Sequence, residues 1–231
     1  MTLKTKLSNL VSDFRQWRSA NYTKEQIAEN SCDDPSFPAW QAIEDVFEES
    51  INSVNFSTLD KDDLKHLLYL IARNWDIGSL LNWYNDNLPF HCLQNDLTED
   101  NLLILAKAAA ETEGEEYVDA KSTIAACFKK LGTLSSSAEN VLLQLYYQDH
   151  EYTKRQALLS LGYFRYANIT SLLEKSWMID DQWHKISCLH IINDYLKDDA
   201  LLMEYINKAT IEDGDELMHY IEKLRSEKKD Q

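Results

Sequence analysis

Residues 151–162 read Glu-Tyr-Thr-Lys-Arg-Gln-Ala-Leu-Leu-Ser-Leu-Gly, and residues 121–132 read Lys-Ser-Thr-Ile-Ala-Ala-Cys-Phe-Lys-Lys-Leu-Gly. The two segments align at a shift of 30 residues, and a further shift of 31 places Cys188 on Ala157. In each copy a small residue is followed by a large apolar one, and Leu-Gly follows in the first two. Small residues let two helices approach closely, and a repeat of this length is one helical hairpin. The sequence therefore predicts stacked helical hairpins in its second half.

Residues 154–162 (Lys-Arg-Gln-Ala-Leu-Leu-Ser-Leu-Gly) resemble the signature of short bacterial HEAT-type repeats, and the resemblance covers about residues 119–210. It implies an all-α fold, a right-handed superhelix of stacked antiparallel helical hairpins (a HEAT/armadillo-like solenoid) with about 11–12 helices. It also implies that the second helices line a concave protein-binding face. The third repeat departs from the pattern, because it has His190 where the best repeat has Leu159.

Apolar residues recur at helical spacing along nearly the whole chain, and only 5 Gly and 3 Pro interrupt them. An all-β fold needs frequent turns, so this composition favours helices. Asp60 and Thr98 are predicted helix N-caps, and Gly132 is predicted to end a helix as its C′ residue. We interpret the chain as a single α-helical domain. Its parts are a divergent helical N-terminal part (1–97), HEAT-like repeats (98–226) and a frayed tail (227–231). The alternative for the first part is a different helical bundle.

The sequence shows no signal of a membrane segment, a cofactor or a metal. No stretch approaches the roughly 18 apolar residues of a membrane span, and residues 1–14 lack the apolar region of a signal peptide. We therefore expect a cytoplasmic protein. The four cysteines lie far apart without a CxxC motif, which favours isolated buried thiols. A glycine-rich phosphate loop and a clustered set of metal ligands are both missing from the sequence, so no cofactor, metal or enzymatic activity is predicted.

Acidic residues outnumber basic ones by 39 to 23, a formal net charge of −16. Residues 31–63 and 84–119 each carry −8, and residues 31–119 together account for −15. A surface this negative repels nucleic acid and anionic membranes, because both require a cationic face. It attracts a basic protein and accelerates their encounter. The alternative is a solvated acidic face that serves solubility.

The partner-binding residues predicted from this pattern are acidic side chains of the two blocks and one aromatic pair. They are Asp33, Asp34, Glu44, Asp45, Glu48, Glu49, Asp62, Asp63, Trp83, Tyr84, Glu111, Glu113, Glu115, Glu116 and Asp119. The acids within 44–49 form two like-charge pairs at i, i+4, each unfavourable by about 0.2–0.5 kcal/mol in an isolated helix. Helix stability does not require that arrangement, and three interpretations stay open: a solvated acidic face, a docking surface for a basic protein, and a cation site. Several amphipathic aromatics near helix ends are of the kind that anchor interfaces. They are Trp83, Tyr84, Tyr146, Tyr147, Tyr163, Tyr166 and Trp183.

In type, a small acidic helical chain resembles the immunity proteins of bacterial polymorphic-toxin and contact-dependent-inhibition systems, which neutralise a cationic nuclease toxin. The resemblance implies that carboxylates of residues 31–119 cover the Lys and Arg with which the toxin binds phosphates. A general HEAT-like scaffold or adaptor with a non-toxin partner is the alternative. HEAT-like DNA glycosylases form a third class, but they need a basic channel that this charge pattern opposes.

Overall fold

The computed structural model describes residues 2–28, 36–53, 56–73, 98–148 and 150–229 of the chain. These residues form twelve α-helices and no β-strand, which confirms the predicted all-α class. The helices are α1 (Leu3–Asn21), α2 (Lys24–Ala28), α3 (Trp40–Ser53), α4 (Lys61–Arg73), α5 (Glu99–Glu111), α6 (Val118–Cys127), α7 (Ser136–Gln148), α8 (Glu151–Tyr163), α9 (Ile169–Trp177), α10 (Gln182–His190), α11 (Asp199–Lys208) and α12 (Asp215–Lys229).

Capping side chains start α4 and α5 where the sequence predicts them. Asp60 Oδ1 accepts hydrogen bonds from the backbone N–H groups of Asp62 and Asp63, both at 3.0 Å. The Asp63 carboxylate accepts the N–H of Asp60 in return, at 3.3 Å, so the two residues cap each other's backbone. Thr98 caps α5 by accepting from the N–H of Asn101. Both N-cap predictions are confirmed, because capping depends on residues only two or three positions away.

Contacts between helices join them in two rows. The first row runs α1, α4, α6, α8, α10 and α12, each packed against the next. In the second row α5 packs on α7, and the Tyr146 hydroxyl of α7 donates to the Leu172 carbonyl of α9 at 3.2 Å. Trp177 of α9 then meets Tyr205 of α11 edge to face, with ring centroids 4.9 Å apart. One continuous apolar core includes residues of both rows.

The 30-residue repeat places its copies on neighbouring helices of the first row. Its small residues are all buried: Cys127, Ala157 and Cys188. Between α6 and α8, Ser122 Oγ lies 3.0 Å from Thr153 Oγ1, and Ser160 Oγ donates to the Ala125 carbonyl at 2.6 Å. A buried polar group left unpaired costs about 1–3 kcal/mol, so these bonds fix the register of the two helices.

The repeated Leu-Gly step has two different structures. Gly162 lies inside α8, where an added Cβ would stand 2.7 Å from two side-chain carbons of Ile191. Gly132 lies outside α6, and nothing stands within 4 Å of an added Cβ. The helical segment of α6 ends in a 3₁₀ turn, Phe128–Lys130, with Leu131 as its C-cap, so Gly132 stands at the predicted C′ position, although its φ is not positive as in the usual left-handed cap. The left-handed glycines among the described residues are Gly114 and Gly214.

The last helices extend past α10 and into the predicted tail. α10 is followed by a π-helical turn, Ile191–Leu196, which ends at Lys197 with φ 56°. α12 continues to Lys229, so the tail predicted to fray from residue 227 is helical as far as residue 229. Of the helices described above, none is long and apolar enough to cross a membrane.

Candidate protein-binding surfaces

Among the predicted acidic side chains that the structure describes, four form ion pairs with Lys or Arg. The pairs are Glu49 with Lys6 (2.5 Å), Glu116 with Arg15 (3.1 Å), Asp63 with Lys4 (3.4 Å) and Glu111 with Lys61 (3.5 Å). Three of the four cations lie on α1, so this helix neutralises part of the acidic charge of residues 31–119. Ion pairs at a protein surface contribute little to stability, because water and salt screen them. Their larger effect is to reduce the charge that these carboxylates offer to a partner.

Asp63 has a role at the start of α4 that leaves little of it on the surface. Its side chain is 5% exposed, and it bonds the Asp60 N–H beside the Lys4 ammonium. The hydrogen bond from Lys4 to Asp60 lowers the pKa of the Asp60 carboxyl to about 2, and the N–H groups at the helix start act in the same direction. This cluster ties α1 to α4.

The remaining predicted residues are spread from α3 to α6. Asp62, Glu113 and Glu115 are exposed and form no ion pair with another described residue. Asp45 is exposed and accepts a hydrogen bond from Gln41 at 3.1 Å. Asp119 is half-buried at the start of α6. Outside the described residues lie Asp33, Asp34, Trp83 and Tyr84, together with the predicted helix 79–84. Glu44 and Glu48 lie on α3, and the structure describes that helix but not these two side chains. The binding role of this set stays a prediction.

A second surface lies where three turns of the chain meet, at the starts of α8, α10 and α12. We call it the turn edge; it consists of residues 150–152, 178–184 and 209–216. Gln182 joins the second turn to the third, because its Oε1 accepts the N–H of Glu216 at 3.2 Å. His184 joins the first turn to the second through the Glu151 carbonyl oxygen, 3.1 Å from its Nε2. The first row of helices therefore brings three separate sequence segments to one edge.

Large apolar side chains stand exposed on the turn edge among carboxylates. Met178 is 84% exposed, Ile211 81% and Trp183 43%. The three segments of the turn edge contain seven acidic residues, of which Lys154 pairs with Glu151 at 2.7 Å and Lys185 pairs with Asp213. The acids are Glu151, Asp180, Asp181, Glu212, Asp213, Asp215 and Glu216. Acids near helix N-termini are favoured by the helix dipole, which accounts for several of them. The dipole does not account for exposed Met, Ile and Trp side chains, which are typical of contact surfaces.

Beside the turn edge, a cleft of about 210 Å³ lies between the starts of α8 and α10. Its walls are His150, Glu151, Tyr152, Arg155, Asp181, Trp183 and His184. The His184 side chain is buried, and its Nε2 donates to the Glu151 carbonyl. Glu151 Oε2 lies 2.9 Å from the same nitrogen but outside hydrogen-bond geometry. Two buried atoms, His184 Nδ1 and Glu151 Oε2, thus have no hydrogen-bond partner.

The electrostatics of the cleft make both of these atoms acceptors. Burial lowers the pKa of His184, although the Glu151 carboxylate acts in the opposite direction. The imidazole is then neutral near pH 7 with its proton on Nε2, which leaves a lone pair on Nδ1. The Arg155 guanidinium lies 4.7 Å from the centroid of the Tyr152 ring and 5.7 Å from that of Trp183. Burial raises the pKa of Tyr152 to about 12, so its hydroxyl stays protonated.

The side chains of Cys127, Cys188 and His190 have structural roles that burial and hydrogen bonding explain. Burial raises the pKa of Cys127 to about 11 and raises that of Cys188 as well, so neither forms a thiolate at neutral pH. The Cys188 thiol donates to the Leu173 carbonyl, with Sγ and the oxygen 3.6 Å apart. His190 Nδ1 lies 2.6 Å from an Asp194 carboxylate oxygen, one helical turn away. The prediction of buried thiols is confirmed for these two cysteines, and the other two lie outside the described residues.

Among the described residues, no group of three or more His, Cys, Asp or Glu side chains lies close enough together to hold a metal ion. Comparison of the chain with protein-family models, with curated protein sequences and with solved structures finds no match. A proposal about function therefore depends on the surfaces described above.

Sequence reasoning missed most of the turn edge, although it predicted Trp183 as an interface aromatic. The segment 209–216 lies in a half of the chain whose overall charge is nearly balanced, so the net charge of that half does not show the acidity of this segment. A local signal was present: Ile211 is an isolated apolar residue in front of Glu-Asp-Gly-Asp-Glu. The contact of Glu151 with His184, 33 residues apart, depends on how two helices pack, and no local pattern reports it.

Proposed function

We propose that the chain is a protein-binding inhibitor of a basic protein, and that it acts as an immunity protein against a cationic nuclease toxin. One observation carries the proposal: the turn edge exposes Met178, Ile211 and Trp183 within segments that hold seven carboxylates, of which Glu151 and Asp213 are paired with Lys154 and Lys185. Exposed apolar side chains beside the remaining five carboxylates suit a partner whose surface is apolar and basic.

The acidic charge and the exposed apolar side chains contribute to different steps of binding. Long-range attraction between the acidic chain, at −16, and a basic partner raises the association rate. Burial of Trp and Met side chains in the contact slows dissociation, since buried aromatic anchors dominate interface energies. Inhibition follows by occlusion, because a nuclease covered at its phosphate-binding Lys and Arg no longer binds nucleic acid.

The packing of the helices supports the same proposal. In a HEAT-like superhelix each hairpin presents its turn at the same edge as its neighbours, and such edges and faces form extended protein-binding surfaces. The first row, in which α8, α10 and α12 start side by side, fits that arrangement. We propose the right-handed form of the superhelix on the strength of the repeat in residues 121–192.

The test uses the protein encoded beside this gene, purified as its basic domain. We expect a one-to-one complex at nanomolar concentration and loss of nuclease activity at stoichiometric inhibitor. We also expect the dissociation constant to rise about tenfold or more when the salt concentration is increased from 50 to about 500 mM, because screening shortens the Debye length.

A charge-reversed variant with Asp180, Glu212 and Asp215 replaced by Lys serves as the matched perturbation. We expect it to associate far more slowly, while its circular dichroism and melting temperature stay close to those of the wild type. A complex that forms equally well at high salt, or a nuclease that stays active when bound, contradicts the proposed inhibition.

A further inference from the structure

We infer that the cleft between α8 and α10 is a binding site for one arginine side chain of the basic partner. The inference rests on the proposed function for the source of that arginine. It adds a defined recognition site beside the turn edge, at the contact of Glu151 with His184. The site would decide which basic partner is bound, since general acidity attracts all of them.

The first argument comes from the unpaired atoms of the cleft. His184 is 1% exposed, and its Nδ1 and the Glu151 Oε2 atom are buried without a hydrogen-bond donor. A buried acceptor that lacks a donor is costly, and a ligand that supplies the donor recovers that cost. Two acceptors on neighbouring turns call for a ligand with at least two N–H donors, and a guanidinium group has five in a planar fork.

The second argument comes from the shape of the walls. Glu151 and Asp181 line the cleft with Arg155, and Lys154 pairs with Glu151 at 2.7 Å, so these charges balance and the unpaired acceptors, rather than a net charge, select a ligand that donates hydrogen bonds. Arg155 already stacks near the Trp183 ring, yet that ring remains 43% exposed. A second planar guanidinium can therefore stack on Trp183, as Arg side chains do at interfaces.

The third argument comes from size and surroundings. A cleft of about 210 Å³ is large enough for one long side chain and too small for a folded element. It opens on the turn edge, where Met178 and Ile211 are exposed. The backbone of a partner that inserts one arginine would therefore rest beside these apolar side chains.

The test titrates isotopically labelled protein with N-acetyl-arginine amide and follows the His184 imidazole and the Trp183 indole by NMR. We expect saturable shifts of both signals, with a dissociation constant of about 1–10 mM, which is typical of a single fragment. N-acetyl-lysine amide should bind more weakly, because an ammonium cannot stack or fork. N-acetyl-glutamine amide should give no saturable shift.

Two variants check the site, and one serves as a control. Glu151→Gln removes the carboxylate, and Trp183→Ala removes the stacking ring at a partly exposed position, so the second is expected to fold even if the first does not. Each should weaken arginine binding about tenfold or more. Glu113→Gln removes an exposed carboxylate outside the cleft and should leave the titration unchanged. Equal shifts with the glutamine ligand, or arginine binding that survives both variants, overturns the inference.

The same variants separate this inference from the proposed function. If the wild-type chain and Trp183→Ala bind the nuclease equally tightly, the arginine site is wrong and the inhibitor proposal stands. If the wild-type chain binds no nuclease, the inhibitor proposal fails, and the arginine titration still decides whether the cleft is a site. If arginine produces no shift at His184 up to about 100 mM, a bound water satisfies the acceptors and the site is rejected.

Discussion

Replacing Gly162 by Ala tests the close packing of α8 on the π-helical turn. An added Cβ would stand 2.7 Å from two carbons of Ile191 and 2.9 Å from a third. Ile191 is fully buried and β-branched, so it cannot move aside easily. Overpacking of this severity costs about 2–3 kcal/mol. Alanine recovers about 1 kcal/mol of helix propensity, so we expect the free energy of unfolding to fall by about 1–2 kcal/mol.

Urea unfolding monitored by circular dichroism measures this change, and the melting temperature should fall by about 2–8 °C. Gly132→Ala is the matched control, because the repeat aligns the two glycines and yet nothing lies within 4 Å of an added Cβ there. Its stability should stay within about 0.5 kcal/mol of the wild type. The double variant Gly162→Ala/Ile191→Ala should lose less stability than the sum of the losses of the two single variants, by about 0.5–3 kcal/mol. The reasoning would be refuted if Gly162→Ala and Gly132→Ala were equally stable, or if the double variant lost the exact sum of the two single losses.

Three further outcomes follow from the described contacts. Tyr146→Phe removes a buried 2.8 Å hydrogen bond to Ser176 and should lower the free energy of unfolding by about 1–2 kcal/mol; an unchanged denaturation midpoint contradicts this. The pKa of Asp60 is lowered to about 2 in the folded chain, so its stabilising effect is present above the unfolded value, near 4, and is lost as the pH falls towards 2. Asp60→Asn should therefore flatten the acid side of the melting-temperature profile, and an unaltered profile counts against it. Cys127 and Cys188 should react with a thiol reagent only after unfolding, as peptide mass mapping of the native protein checks; rapid native labelling of either would be inconsistent with their burial.

The all-helical class and most helix starts could be predicted from the sequence because their causes are local. Asp60 and Thr98 cap helices through backbone groups two or three residues ahead. The small residues of the repeat are buried because a stacked helix needs them at its contact, and the spacing of 30 carries that information. The different packing of Gly132 and Gly162 could not be predicted, because the sequence likeness between them does not report what stands opposite each residue.

The candidate surfaces could be predicted only in part. Net charge located an acidic block, but it could not report that Lys4, Lys6 and Arg15 fold back onto that block. Those pairs join residues tens of positions apart, and only the packing of α1 brings them together. Exposure is likewise a property of the packed chain. Met178 follows directly after the buried Trp177, and nothing in their residue types distinguishes the two.

The separation of bonded residues along the chain has a consequence for how the protein folds. Ser122 and Thr153 are 31 positions apart, and the hydrogen-bonded Tyr146 and Ser176 are 30 apart. Such modest loops close rapidly, so the second half can assemble hairpin by hairpin as it leaves the ribosome. α1 has partners at several distances along the chain: Lys6 bonds Glu49 and Lys4 bonds Asp60, 43 and 56 positions away, whereas Arg15 bonds Glu116, 101 positions away. We therefore expect α1 to dock on α4 first, and its contact with Glu116 to form later.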